Sequence, residues 1–139
     1  MKALSLRQPW ATMIVTGMKA IENRKWKSNY RGSLLIHASK TWDFEGAKYI
    51  LSVDRSLLGF VDHDDHYKGG IIGKVEMVDC IERVKVFDID FYALEFEDPE
   101  TITKWFFGPY GFIFKDPIEF HKPIEYKGQL GIFEVPMIL

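Results

Sequence analysis

Lys2-Ala3-Leu4-Ser5-Leu6-Arg7-Gln8-Pro9-Trp10 is the stretch on which the fold turns. Polar and apolar residues alternate from Lys2 to Leu6 with the two-residue period of a half-buried strand, and Arg7-Gln8-Pro9 breaks it. Pro9 suits the first turn of a helix, Trp10, Met13 and Ile14 follow at helical spacing, and Gly17 is positioned to end the helix in a left-handed cap. A strand and a short helix over residues 9–16 are therefore expected. Further on, Ile21-Glu22-Asn23-Arg24-Lys25-Trp26 reads as a second strand with Glu22, Arg24 and Trp26 on one face. Arg31-Gly32 then turns the chain into Ser33-Leu34-Leu35-Ile36-His37-Ala38-Ser39, whose centre is apolar on both faces and so predicts an interior strand.

The pattern next becomes helical, with Phe44, Ala47 and Leu51 on one face and Thr41 as the expected N-cap. Residues 52–70 are the least regular and end in Asp62-His63-Asp64-Asp65-His66-Tyr67-Lys68-Gly69-Gly70, an expected exposed loop. Strand character returns over Ile71 to Val86, with Gly73 as a bulge or close-approach point. Asp98-Pro99-Glu100 reads as a helix start whose buried side is Ile102, Trp105 and Phe106, and Gly108-Pro109 stops it. Phe112–Phe114, Ile118–His121 and Leu130–Val135 are expected as separate strands, divided by Pro117, Pro123 and the Lys127-Gly128 turn. The sum is an α+β chain forming a small mixed β-barrel of five to six strands with two to three short helices. A doubly wound sheet is disfavoured, since strands do not alternate with long helices.

At 139 residues the chain is expected to form one domain over residues 1–139. With 47% hydrophobic and 27% charged residues it has the material for a core, which excludes disorder. No apolar run is long enough for a membrane span and the first residues lack a signal-peptide core, so the simplest reading is a cytoplasmic protein. A single cysteine, Cys80, excludes an internal disulfide and a thiolate-built zinc site. The net charge of −2 conceals an asymmetry: of 18 basic side chains, eight fall in residues 1–40, against one acid there, Glu22. If those cations share one hollow they concentrate anions, phosphate first among them; if the fold scatters them they are ordinary surface charge.

Ser5-Leu6-Arg7-Gln8-Pro9-Trp10, Gly17-Met18-Lys19-Ala20-Ile21-Glu22-Asn23-Arg24, Arg31-Gly32 and Ile36-His37-Ala38-Ser39 together resemble the ASCH domain, a branch of the PUA-like superfamily. Ile71-Ile72-Gly73, the Trp105 to Phe112 segment, Pro123 and Lys127-Gly128-Gln129-Leu130-Gly131 are similar to the closing parts of that domain. The resemblance implies a barrel with a cleft between barrel and helices, taking RNA or a modified, nucleotide-like ligand. It also implies two enzymatic alternatives. Some bacterial ASCH proteins are amidohydrolases that remove an acyl group from modified cytidine with a lysine, a threonine and a glutamate; Lys19 matches the lysine, but Glu22 stands where the threonine would be. Ser39 is a substitute source of a hydroxyl, and Glu95 and Glu97 lie in the region of the glutamate. Other relatives cut single-stranded RNA with a divalent metal ion, the one cofactor in view.

Arg7 and Gln8 sit where strand meets helix. An arginine there can bind phosphate bidentately beside exposed backbone N–H groups, and a glutamine can read a base edge. The competing reading pairs Arg7 with an acid and uses Gln8 to cap the helix. In Gly17-x-Lys19-x-x-Glu22-x-Arg24 a strand period puts Glu22 and Arg24 on one face with Lys19 entering from the turn, an arrangement open to ion pairing, to ligand binding, or to acid/base work by Lys19 and Glu22. The lysine keeps its proton unless the site is dry. His37 is a candidate base or phosphate donor, or else a satisfied core histidine. The ligand-binding candidates are thus Arg7, Gln8, Lys19, Glu22, Arg24, His37, Ser39 and Lys40, and the catalytic candidates Lys19 and Glu22. Asp62 to His66 has metal-ligand residue types, though its polarity and the following Gly69-Gly70 favour a solvated loop, and no metal site is assigned. Trp26, Tyr30, Trp42, Trp105 and Tyr110 are the aromatics considered for base stacking. Three functions remain open: an RNA or nucleotide binder, a hydrolase on a nucleoside or RNA, and a non-catalytic protein-interaction module.

Overall fold

The computed structural model describes residues 1–83 and 100–136. Its elements run β1 (Lys2–Gln8), α1 (Trp10–Val15), β2 (Ile21–Arg24), β3 (Gly32–Trp42), α2 (Phe44–Val53), β4 (Gly70–Glu82), α3 (Glu100–Trp105), β5 (Tyr110–Glu125) and β6 (Ile132–Glu134), with two 3₁₀ turns at Arg55–Leu58 and His63–Asp65. The six strands form one sheet in the order β2-β5-β4-β3-β1-β6. β1 and β3 run parallel and the remaining pairs antiparallel. The α+β, PUA-like class, with six strands and three short helices among the described residues, agrees with the sequence expectation, but the expected barrel is not closed.

The strand ladders among the described residues do not close into a ring. A side chain links the ends instead: Arg24 Nη2 on β2 donates to the Ser5 carbonyl on β1 at 2.8 Å. Ser5 lies just past Leu4, the last β1 residue in register with β6. The sheet is therefore rolled, and β2 and β1, distant in strand order, share one wall.

Burial on both faces explains why β3 is interior. Leu4, Leu6, Leu34, Ile36, Val75, Met77 and Phe112 pack with Trp10, Met13 and Ile14 of α1 in the larger core. The alternate residues Ala3 and Leu35 join Ile71, Phe133 and Val135 in a second cluster on the other face. Register shifts between Ile36 and His37 and between Ile71 and Gly73 mark the close-approach point expected at Gly73. α1 stops at Thr16, and Gly17 has φ +81°, the left-handed conformation that favours glycine.

Four further expectations change. β3 continues to Trp42, because Trp42 is in register with Gln8 and Asp43 N–H donates to the Gln8 carbonyl at 2.8 Å. The N-cap of α2 is consequently Asp43, whose carboxylate accepts from Gly46 N–H, and not Thr41. β5 runs unbroken through Pro117 and Pro123, where separate strands were expected. Among the described residues β5 pairs past Ile113 with β4 alone, so there both prolines stand on an edge where a missing N–H breaks no ladder. The loop over residues 62–70 is not all exposed, since His66 is buried with its ring between Thr12 Oγ1 (3.1 Å) and the Phe60 carbonyl (2.5 Å). No helix among the described residues is long and apolar enough to cross a membrane.

Candidate functional site

Where β1 ends, β2 passes and α2 begins, the chain leaves a cavity of about 740 Å³. Arg7, Lys19, Glu22 and Arg24 all line it, so four of the sequence candidates converge. Lys19 is almost completely buried. Its ammonium stands 3.6 Å from Glu22 Oε1 and 4.3 Å from the Trp10 ring centroid, a cation–π contact. Burial lowers the Lys19 pKa, the Glu22 charge and hydrogen bond oppose that shift, and Arg24 adds to it. The other Glu22 oxygen pairs with Arg24 Nη2 at 3.2 Å. The two-residue strand period thus brings one carboxylate between two cations, as the spacing predicted. Arg24 Nε is buried without a hydrogen-bond partner.

Asp43 organises the opposite wall. One oxygen accepts from Trp10 Nε1 at 2.8 Å and pairs with Arg7 at 3.2 Å, while the other caps α2. The acid-paired reading of Arg7 therefore holds, although the guanidinium remains more than half exposed over the cavity. Aromatic surface completes the lining through Trp26, Tyr49 and Phe107. Trp26 meets Phe112 edge-on at 5.1 Å and stays 38% exposed, while Phe107 packs on Tyr49 at 5.0 Å and is 47% exposed. Asn23 fixes the segment carrying Phe107: its Oδ1 accepts from Phe107 N–H (3.0 Å) and Gly108 N–H (2.9 Å), and its Nδ2 donates to the Trp105 carbonyl (2.8 Å).

The remaining candidates lie elsewhere. Gln8 is fully buried and its amide is committed: Oε1 accepts from Thr12 N–H and Oγ1, and Nε2 donates to the Tyr67 carbonyl. It caps α1 at Thr12, so one of the N–H groups considered for phosphate is already used. His37, Ser39 and Lys40 line a second cavity on the far side of Ser5. His37 is a satisfied buried histidine: Nε2 faces the Tyr126 carbonyl at 2.6 Å and must donate, which leaves Nδ1 to accept from Ser5 Oγ at 2.9 Å. Burial lowers its pKa, only partly offset by the Tyr126 carbonyl, so the ring is neutral near pH 7. Glu95 and Glu97 lie outside the described residues. Among the described residues no group of three or more His, Cys, Asp or Glu is arranged to hold a metal ion. In the Asp62–His66 stretch, Asp62 caps its own turn and His66 points inward.

Sequence reasoning missed Asp43, Asn23, Tyr49 and Phe107. Only Asp43 carried a local signal, as an N-cap residue type three positions before Gly46. Of the aromatics considered, only Trp26 lines the first cavity; Trp42 and Trp105 are buried, and the Tyr30 hydroxyl donates to the Ser33 carbonyl.

The rolled mixed sheet, with its cavity between strand ends and helices, defines an α+β protein of PUA-like architecture. The chain belongs to the ASCH domain family, whose sequence profile matches residues 4–123. It is 30% identical over 135 residues to Activating signal cointegrator 1 of Homo sapiens, and equally so to that of Mus musculus. The match covers 95% of this chain but only 22% of those relatives' length. Among solved structures, ASCH from Zymomonas mobilis superposes with a TM-score of 0.55 at 12% identity, covering 96% of this chain and 86% of that one. A point mutant of that Zymomonas mobilis protein gives 0.53 at the same identity, with 88% of that chain covered. At such identity the likeness is one of fold.

Proposed function

We propose that this chain binds RNA through the first cavity, which accepts an unpaired nucleotide. One observation carries the reading: Arg7, Glu22 and Arg24 meet the exposed faces of Trp26, Tyr49 and Phe107 on a single hollow of about 740 Å³. An aromatic face stacks any base, a partly exposed guanidinium takes phosphate, and a carboxylate accepts from a base N–H. Membership of the ASCH family supports an RNA partner. The experiment is a titration of short single-stranded RNA at two ionic strengths with the unaltered chain and Trp26→Ala. Binding that weakens with salt and with the substitution supports the proposal; salt-independent or absent binding overturns it.

The burial of Lys19 favours one further reading, a hydrolase acting on acylated cytidine nucleosides. A lysine held in a dry site gives up its proton more readily, an effect Glu22 opposes only in part, and can serve as a base. Lys19 would move the proton and Glu22 would steady the ammonium that results. Turnover of an N4-acylated cytidine, lost in Lys19→Met, is the expected result; turnover no greater than that of the variant overturns this reading. Adding magnesium to the RNA titration tests metal-assisted cleavage in the same tubes.

A further inference from the structure

Ser5 faces two hollows. Its carbonyl receives Arg24 at the first, and its hydroxyl reaches His37 in the second, a cavity of about 800 Å³ whose lining includes Lys40, Tyr67, Lys68, Glu125 and Lys127. The two cavities differ in charge. In the first, Arg7, Lys19, Arg24 and Lys25 are offset by Glu22, Asp43 and Glu45, whereas in the second three lysines stand against the single carboxylate of Glu125. Lys68 Nζ donates to the backbone carbonyls of His63 (2.6 Å) and His66 (2.9 Å), which orients its charge without neutralising it. The side chains of Lys40 and Lys127 make no hydrogen bond or ion pair among the described residues. Both are exposed, and Tyr67, which lines the same cavity, is 40% exposed. The turn bearing Lys127 is seated firmly, because a Cβ on Gly128 would stand 2.7 Å from His37 Cε1 and 3.1 Å from Ser5 Oγ.

Fixed and free ammonium groups around an accessible aromatic ring are the elements with which proteins hold single-stranded nucleic acid. Resting on the nucleotide reading of the first cavity, we infer that the second cavity is a further nucleotide subsite, in which Lys40, Lys68 and Lys127 take the phosphodiester backbone and Tyr67 stacks a base, so that one RNA strand spans both hollows across Ser5. A mononucleotide fills the first cavity alone. Affinity therefore rises with strand length, and the rise depends on the second cavity.

The test compares uridine monophosphate with a uridine octanucleotide, at two salt concentrations, on the unaltered chain, on Lys40→Gln/Lys127→Gln, on Tyr67→Ala and on Trp26→Ala. The glutamines remove charge from side chains that have no hydrogen-bond or ion-pair partner among the described residues and keep most of the stem that Lys40 lays over Gly69, so the fold is retained. The expected result is a fall of roughly tenfold or more in the octamer-to-monophosphate affinity ratio for the double lysine variant and for Tyr67→Ala. With two phosphate contacts gone, the salt slope of octamer binding should drop by roughly 1.4. An unchanged ratio and slope, with monophosphate binding still weakened by Trp26→Ala, overturns the second subsite and leaves the first standing. If Trp26→Ala alters no probe, the nucleotide reading of the first cavity fails, and the spanning strand fails with it.

Discussion

Replacing Glu22 by glutamine isolates the electrostatics of the first cavity. The side chain keeps its size, but the Lys19 ammonium, almost wholly buried, loses the carboxylate 3.6 Å away. Breaking a buried pair by neutralising one partner costs about 3 to 5 kcal/mol, because the other charge is left without solvent or counter-charge. Arg24, the second partner of Glu22, is partly exposed and can hydrate, so it adds little. For a chain of this size the loss lowers Tm by roughly 10 to 15 °C. The dependence on pH follows from the direction of the Lys19 shift. Burial holds its folded-state pKa below the ordinary 10.5, so the unfolded chain binds more protons in the interval between the two values, and stability rises with pH across it. The penalty is complete below the folded-state pKa and is relieved as pH climbs toward 10.5. In Glu22→Gln the two contributions that raised the Lys19 pKa are gone, so that interval extends to lower pH. Urea denaturation of both proteins at neutral and at mildly alkaline pH measures the effect, and the deficit of the variant should shrink as pH rises. Adding Lys19→Met to Glu22→Gln should restore most of the loss, since no buried charge remains. A deficit below about 1 kcal/mol, or a double variant no more stable than Glu22→Gln, refutes the reasoning.

Trp26→Ala should weaken binding of single-stranded RNA by roughly five- to 150-fold, the worth of one stacked base, in fluorescence titration; an unchanged Kd contradicts a stacking role. Asn23→Ala removes the acceptor of the Phe107 and Gly108 N–H groups and should cost about 1 to 3 kcal/mol in chemical denaturation while also weakening RNA binding, because Phe107 is no longer held over the cavity. For His37 the folded-state pKa lies below 6.5, so the unfolded chain takes up its proton first and stability falls as pH drops below about 6.5. His37→Gln should flatten that acid limb in urea denaturation, and an unchanged limb would assign the slope to other groups.

The local half of the site was legible because it depends on periodicity. Glu22 and Arg24 are two residues apart in a strand and Lys19 enters from the preceding turn, so spacing alone brings three charges together. Asp43, Tyr49 and Phe107 reach the same hollow only through tertiary packing; the N-cap signal of Asp43 marks a helix start and not a cavity, and the two aromatics carry no local signal. The basic bias of the opening residues left open whether the cations share one hollow, and composition could not show that Lys2, Arg7 and Arg31 are each met by an acid from a later part of the chain: Glu134, Asp43 and Asp79. The interior position of β3 was visible in its doubly apolar centre. The continuity of β5 was not, since a proline breaks a strand or passes through it according to whether a neighbour needs its N–H, and strand order settles that.

The link from Arg24 to the Ser5 carbonyl makes one guanidinium both a wall of the hollow and the hasp that keeps the rolled sheet shut. Selection on ligand contact and selection on shape thus act on the same atoms. A drift at position 24 that improved recognition would loosen the seam, so specificity in this architecture evolves more freely at the rim, through residues such as Trp26 and Phe107, than at its charged floor.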